Sequence, residues 1–130
     1  MNTYETYLKS PSGNTITIDE MIDIYNEMGH SIASCSSEDK KELADDLFQK
    51  SCYYANIRTE WEFMDRAQKV EKDNSRTMAH DGVIRSLDIL ARLINNSGGE
   101  ASWREKLGND RKRIGDFACF ISFIIGINNR

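Results

Sequence analysis

Proline is nearly missing from this chain: Pro11 is the only one in 130 residues. Everything after residue 17 is therefore free to be helical. Cysteine is scarce as well. Cys35, Cys52 and Cys119 are widely spaced, odd in number and form no Cys-x-x-Cys pair, which argues against a disulfide framework or a zinc site. Three small apolar side chains in a reducing cytoplasm are the expectation. Histidine is limited to His30 and His80. There is no Gly-x-Ser-x-Gly elbow, no Walker loop and no Gly-x-Gly-x-x-Gly turn, so no hydrolase, nucleotide-hydrolysing or dinucleotide chemistry is named and no cofactor is expected. The first residues lack a charged segment followed by an apolar run, so no signal peptide is expected. The most apolar stretch, 114–127, is too short for a membrane span and contains Asp116.

What is present is enough for a single folded domain over 1–130. Apolar residues make up 39% and charged residues 29%, a balance that can bury a core without staples. The formal net charge is −4, unevenly placed. Residues 1–46 hold ten acids and three bases, a balance of −7; residues 47–130 hold eleven acids and fourteen bases, a balance of +3. Generic nucleic-acid binding favours a basic domain, so net charge does not support it here. A protein partner fits better, with the acidic N-terminal part either a solvated face or a surface for a basic partner.

The pattern predicts a mainly α bundle of four to five helices with a short N-terminal extended arm or β-hairpin. Residues 1–17 carry the arm, with Ser10-Pro11-Ser12-Gly13-Asn14 as a turn. Thr17-Ile18-Asp19-Glu20 reads as a capping box that opens a helix over 18–34. A second, long helix is predicted over 38–72, capped by Ser37, because no proline or glycine interrupts it. At about 1.5 Å per residue it would span roughly 50 Å. Asp73-Asn74-Ser75 offers a break, and a third helix follows over 75–96. His80, Val83, Ile84, Leu87, Leu90, Ala91 and Ile94 form its inner face. A short helix over 101–107 and a final one over 110–127 complete the set. The final helix is apolar nearly all round, so it is expected as the buried centre or as half of a homodimer interface.

Three groups of residues could carry function. Glu27 and His30 have the Glu-x-x-His spacing of di-iron bundles, but no second such motif exists, so no metal site is expected. Arg76, His80 and Asp81 are the second group. Arg76 and His80 share one helix face, and a buried imidazole beside a cation stays neutral and can act as a base. The alternative is that they bond a neighbouring helix terminus or a tyrosine. The pair resembles the Arg-x(4–6)-His signature of HEPN ribonucleases, although Arg76-Thr77-Met78-Ala79-His80 has three intervening residues; the resemblance implies metal-independent RNA cleavage with Arg76 and His80 at the phosphate. The third group is a candidate docking surface. Arg111, Lys112 and Arg113 lie at a helix start, where bases are unfavourable, and Tyr54 and Trp61 are aromatic types favoured as interface anchors.

Two stretches, Arg-x-x-x-His-Asp-x-x-Ile-x-x-Leu at 76–87 and Asp-Arg-Lys-Arg-Ile-Gly-Asp-Phe-Ala-Cys at 110–119, join the Pro-Ser-Gly turn at 11–13. Together they resemble small uncharacterised helical proteins of Gram-positive bacteria and their phages. That resemblance implies a cytoplasmic, mobile-element protein that modifies or blocks a host machine. The favoured expectation is a non-enzymatic protein–protein interaction protein, such as a phage inhibitor or anti-CRISPR. The alternatives are a HEPN-like ribonuclease and a dimeric helical module.

Overall fold

The computed structural model describes residues 16–128, with side chains to Gly126. The expected arm or hairpin lies, up to residue 15, outside the described residues. Five helices follow: α1 (Ile18–Ser34), α2 (Lys40–Glu62), α3 (Arg66–Asn96), α4 (Ser102–Leu107) and α5 (Arg111–Asn128). No strand occurs among the described residues. The mainly α bundle is what the pattern called for.

α1 opens as expected. Thr17 accepts from the Glu20 N–H at 3.1 Å, and the Glu20 carboxylate accepts from the Thr17 N–H, closing the box. Met21, Ile24 and Met28 are its buried positions, three and four residues apart as one helix face requires.

The helix predicted over 38–72 is not one helix. α2 starts at Lys40, after a turn at 38–39, and stops at Glu62. The chain reverses over Phe63-Met64-Asp65. Asp65 then caps α3: its side chain accepts from the Gln68 N–H at 2.8 Å, and its own N–H donates to Gln68 Oε1 at 3.0 Å. Asp73-Asn74-Ser75, expected as the break, stays inside α3 and is exposed. The weak helix propensity of those three residues costs at most about 0.7 kcal/mol each. A cap is worth about 1 kcal/mol, and folding α3 back onto α2 lets both bury their apolar stripes. The hairpin therefore wins over a long rod.

α2 and α3 form the most extensive helix pair, and α5 packs across them. α3 contributes Ala79, His80, Val83, Leu87, Leu90, Ala91 and Ile94 to the interior. It ends where Gly98 takes φ +86°, a left-handed position that suits glycine. α5 fills the centre with Ile114, Phe117, Ala118, Phe120 and Ile121, all buried. Its later part emerges: Ile124 and Ile125 are half-buried and Phe123 is exposed. α1 makes its widest contact with the short α4. No helix among the described residues is long and apolar enough to cross a membrane.

Candidate functional site

The stripe of α2 that faces inward runs Ala44, Leu47, Ser51, Tyr54, Arg58. Its last member is a cation, only 6% exposed. Arg58 Nη2 donates to Asp116 Oδ1 at 3.0 Å, and Arg58 Nη1 donates to Cys119 Sγ at 3.4 Å. Its guanidinium carbon also lies 5.8 Å from the Tyr54 ring centre. Burial pushes the Asp116 carboxyl up to about 6, against the pull of Arg58. Burial likewise raises the Cys119 thiol and the Tyr54 phenol, the latter to about 12.

α5 reaches this pair only because residue 115 has no side chain. A Cβ there would stand 2.8 Å from Tyr54 Oη and 3.2 Å from Arg58 Nη1. Tyr54 is buried and has little freedom to retreat. Gly115→Ala is expected to lose about 1–2 kcal/mol, an overpacking cost partly offset by better helix propensity. Denaturant titration checks this, and an unchanged midpoint would show that the Tyr54 ring has room to move.

α3 brings His80 against the same wall. His80 is 3% exposed and meets the Tyr54 ring edge-on, with centroids 5.5 Å apart. Its Nε2 lies 2.9 Å from the Arg111 carbonyl oxygen. A carbonyl only accepts, so Nε2 carries the hydrogen, and Nδ1 of the neutral ring keeps its lone pair. Nδ1 is buried without a hydrogen-bond partner; Asp81 Oδ1 stands 4.0 Å away, beyond bonding range. Burial is the main cause that lowers the His80 pKa; the charges of Arg111 and Arg76 add to it, while the carbonyl bond and Asp81 oppose it. The ring is thus held neutral near pH 7.

One turn earlier on α3, Arg76 stacks on Trp61, 4.8 Å from the ring centre, a cation–π distance. Arg76 Nε is buried without a hydrogen-bond partner. Arg111 opens α5 and approaches Asp81 at 3.8 Å. Tyr54, Arg58, Arg76, His80, Arg111 and Lys112 together line a cleft of about 240 Å³. Four of these six are cations, and none is a carboxylate.

The two groups that the sequence left separate, Arg76/His80 and Arg111/Lys112 with Tyr54, therefore meet in one place. Trp61 is the shelf under Arg76. Asp81 sits at the edge, its side chain half exposed. Arg113 is the exception, for it does not line the cleft. It turns away from the cleft: Nε donates to the Leu107 carbonyl at 3.0 Å, and Nη2 donates to the Lys106 carbonyl and to Glu20, each at 3.2 Å. It clamps α4 and α1 to the start of α5. The unfavourable bases at that helix start are balanced by Asp110, whose Oδ1 accepts from the N–H groups of Lys112 and Arg113.

Arg58 and Gly115 were missed because a buried arginine has no sequence mark of its own. The available signal was the continuation of the 44–47–51–54 stripe to 58. Glu27 is engaged by Lys106 and His30 is exposed. Among the described residues no group of three or more metal-ligating side chains converges. Comparison with known protein families, with curated proteins and with solved structures finds no match.

Proposed function

We propose that this chain is an interaction protein that holds an anionic group of its partner in the cleft between α2, α3 and the start of α5. The observation that carries the reading is the convergence of Arg58, Arg76, Arg111 and Lys112 on one concave wall, which stays net positive although Asp116 lies against Arg58 and Asp81 stands 3.8 Å from Arg111. Cations on a partly enclosed, low-dielectric wall attract an anion more strongly than the same cations spread over a surface. Trp61 and Tyr54 add the rigid aromatic framework favoured at interfaces. The cytoplasmic setting and the narrower idea, a phage or mobile-element inhibitor such as an anti-CRISPR, rest on the resemblance of three short segments. Among the described side chains, a homodimer through 114–127 would keep the strip around Phe123, because Ile114, Phe117, Ala118 and Ile121 are spent inside the chain.

A second reading is favoured by one observation. His80 offers an unpartnered Nδ1 one turn from Arg76, as a ribonuclease base beside a phosphate-binding arginine would. The two readings separate in one comparison. Immobilised wild-type protein and an Arg76→Gln/Arg111→Gln variant are each exposed to lysate of the source cell, and purified protein is incubated with RNA. The expected outcome is a partner retained by the wild type, at least tenfold depleted on the variant, with RNA left intact. RNA cleavage that His80→Ala abolishes would replace the interaction reading with the nuclease.

A further inference from the structure

The interaction reading leaves open which anion the cleft takes, and the geometry narrows it. The cations come from three directions: Arg58 from α2, Arg76 from α3, Arg111 and Lys112 from α5. A planar carboxylate with two oxygens is satisfied by one bidentate arginine. Donors on three sides suit a tetrahedral group with three terminal oxygens. The cleft volume, about 240 Å³, lies below the range of about 300–1,000 Å³ usual for drug-sized ligands. It admits one such group with its first attached atoms. The acidic N-terminal part, with a balance of −7 over residues 1–46, disfavours a long polyanion such as a nucleic acid.

Resting on the interaction reading, we infer that the cleft binds a phosphoryl group carried by a side chain of the partner protein, and that binding draws a proton onto His80 Nδ1. His80 is the link between charge and occupancy. With the cleft empty, burial and neighbouring cations keep the ring neutral, and Nδ1 has nothing to bond. A dianion beside it reverses the balance: Arg76 and Arg111 are neutralised, and a protonated Nδ1 becomes a donor to the new oxygens. The charged and titratable groups facing the ring are Tyr54 and Arg58 on α2, Arg76 and Asp81 on α3, and Arg111 and Lys112 on α5, with Asp116 behind Arg58. Of these, Asp116 also titrates near neutrality, at about 6. Protonating Asp116 would add positive charge behind Arg58, so the variant that isolates His80 is essential.

The test uses the full chain. Sulfate serves as a tetrahedral dianion whose own charge is constant from pH 5.5 to 8, phenyl phosphate as a phosphomonoester, a phosphoserine peptide and a 5′-phosphorylated oligonucleotide as its two macromolecular carriers, and acetate and a glutamate-rich peptide as carboxylates. Binding is followed by NMR shifts of the amides of Tyr54, Arg76, His80 and Lys112 and by calorimetry. Sulfate is expected to bind about tenfold more tightly at pH 5.5 than at pH 8, which requires the His80 pKa to rise by more than one unit on binding. Calorimetry in buffers of different ionisation enthalpy should show proton uptake. His80→Gln keeps a donor for the Arg111 carbonyl but cannot take the proton, and should reduce the pH effect to less than threefold. Arg111→Gln, at an exposed side chain whose backbone carbonyl is retained, should weaken every anion at least tenfold without unfolding. Carboxylates that bind as tightly as sulfate, with no pH effect, would overturn the phosphoryl assignment and leave the interaction reading standing. A 5′-phosphorylated oligonucleotide that binds much more tightly than a phosphopeptide would overturn the choice of partner. No shift with any anion would remove both.

Discussion

Trp103→Ala is expected to cost about 3–5 kcal/mol of folding free energy, a large share of the roughly 5–15 kcal/mol that holds a domain folded. Trp103 is fully buried and belongs to α4, a helix of six residues that cannot be stable alone. Its Nε1–H donates to Ser31 Oγ at 2.9 Å, and Ser31 Oγ donates to the Met28 carbonyl at 2.8 Å. The indole therefore plugs α4 against the last turns of α1 and satisfies its own polar atom there. The surrounding ties are surface ion pairs, Lys106 with Glu27 and Arg113 with Glu20, each worth at most about 1 kcal/mol. They cannot replace the ring. Thermal unfolding followed by circular dichroism should show the midpoint fall by roughly 10–20 °C. Amide exchange in α1 should accelerate before that in α3. Trp103→Phe keeps most of the ring and should lose only about 1–2 kcal/mol, the worth of the hydrogen bond with some packing. An alanine variant within 1 kcal/mol of wild type would mean that α1 is held by something other than α4. The cleft shares the outcome, because Arg113 ties α1 to α5 two residues beyond Arg111.

How far the sequence exposed this arrangement depends on the residue. The Thr17/Glu20 box, the inner face of α3 and the apolar α5 are each local patterns, and local patterns survive into the fold. The α2–α3 turn does not follow from the absence of proline and glycine. It follows from Asp65-x-x-Gln68, a capping box whose weight depends on whether folding back buries more surface than extending. Asp73-Asn74-Ser75 has the better breaker composition and loses because it lies within a helix already capped upstream. In the site, Arg76–His80 and 110–113 were visible as separate clusters on helices distant in sequence. Their meeting depends on Gly115 letting α5 approach Tyr54, and on Arg58 occupying a core position that sequence patterns reserve for apolar side chains. Arg113 shows the converse: three consecutive bases share a composition, but helical rotation sends the third to another surface.

Arg58→Ala is expected to destabilise the protein by about 3–5 kcal/mol at pH 8 and by much less at pH 5. The reason is the carboxylate behind it. Asp116 has no exposure at all, and its Oδ2 has no hydrogen-bond partner. Even with Arg58 at 3.0 Å, burial raises its pKa from 3.8 to about 6. The sign follows from proton counts. Between pH 3.8 and 6 the folded state holds a proton that the unfolded state has released, so stability falls as pH rises through that window. Above it the ionised carboxylate carries a full penalty of about 3 kcal/mol, at 1.36 kcal/mol per unit. Removing Arg58 takes away the cation in direct contact and pushes the folded pKa higher, so the window extends upward and the penalty at pH 8 grows. Below pH 5 Asp116 is protonated in both proteins, and the difference shrinks to lost packing against Tyr54 and Cys119. Paired urea titrations of both proteins at pH 5 and pH 8 measure it. Arg58→Met combined with Asp116→Asn removes both charges at similar volume and should return stability to within about 1 kcal/mol, since a buried pair is seldom better than neutral side chains that fit. That double variant should also bind sulfate more weakly than wild type, because one of the four cations of the cleft is gone. Equal destabilisation of Arg58→Ala at both pH values would show that Asp116 does not titrate with folding. Full recovery of sulfate binding in the double variant would take Arg58 out of the anion site and leave it to Arg76, Arg111 and Lys112.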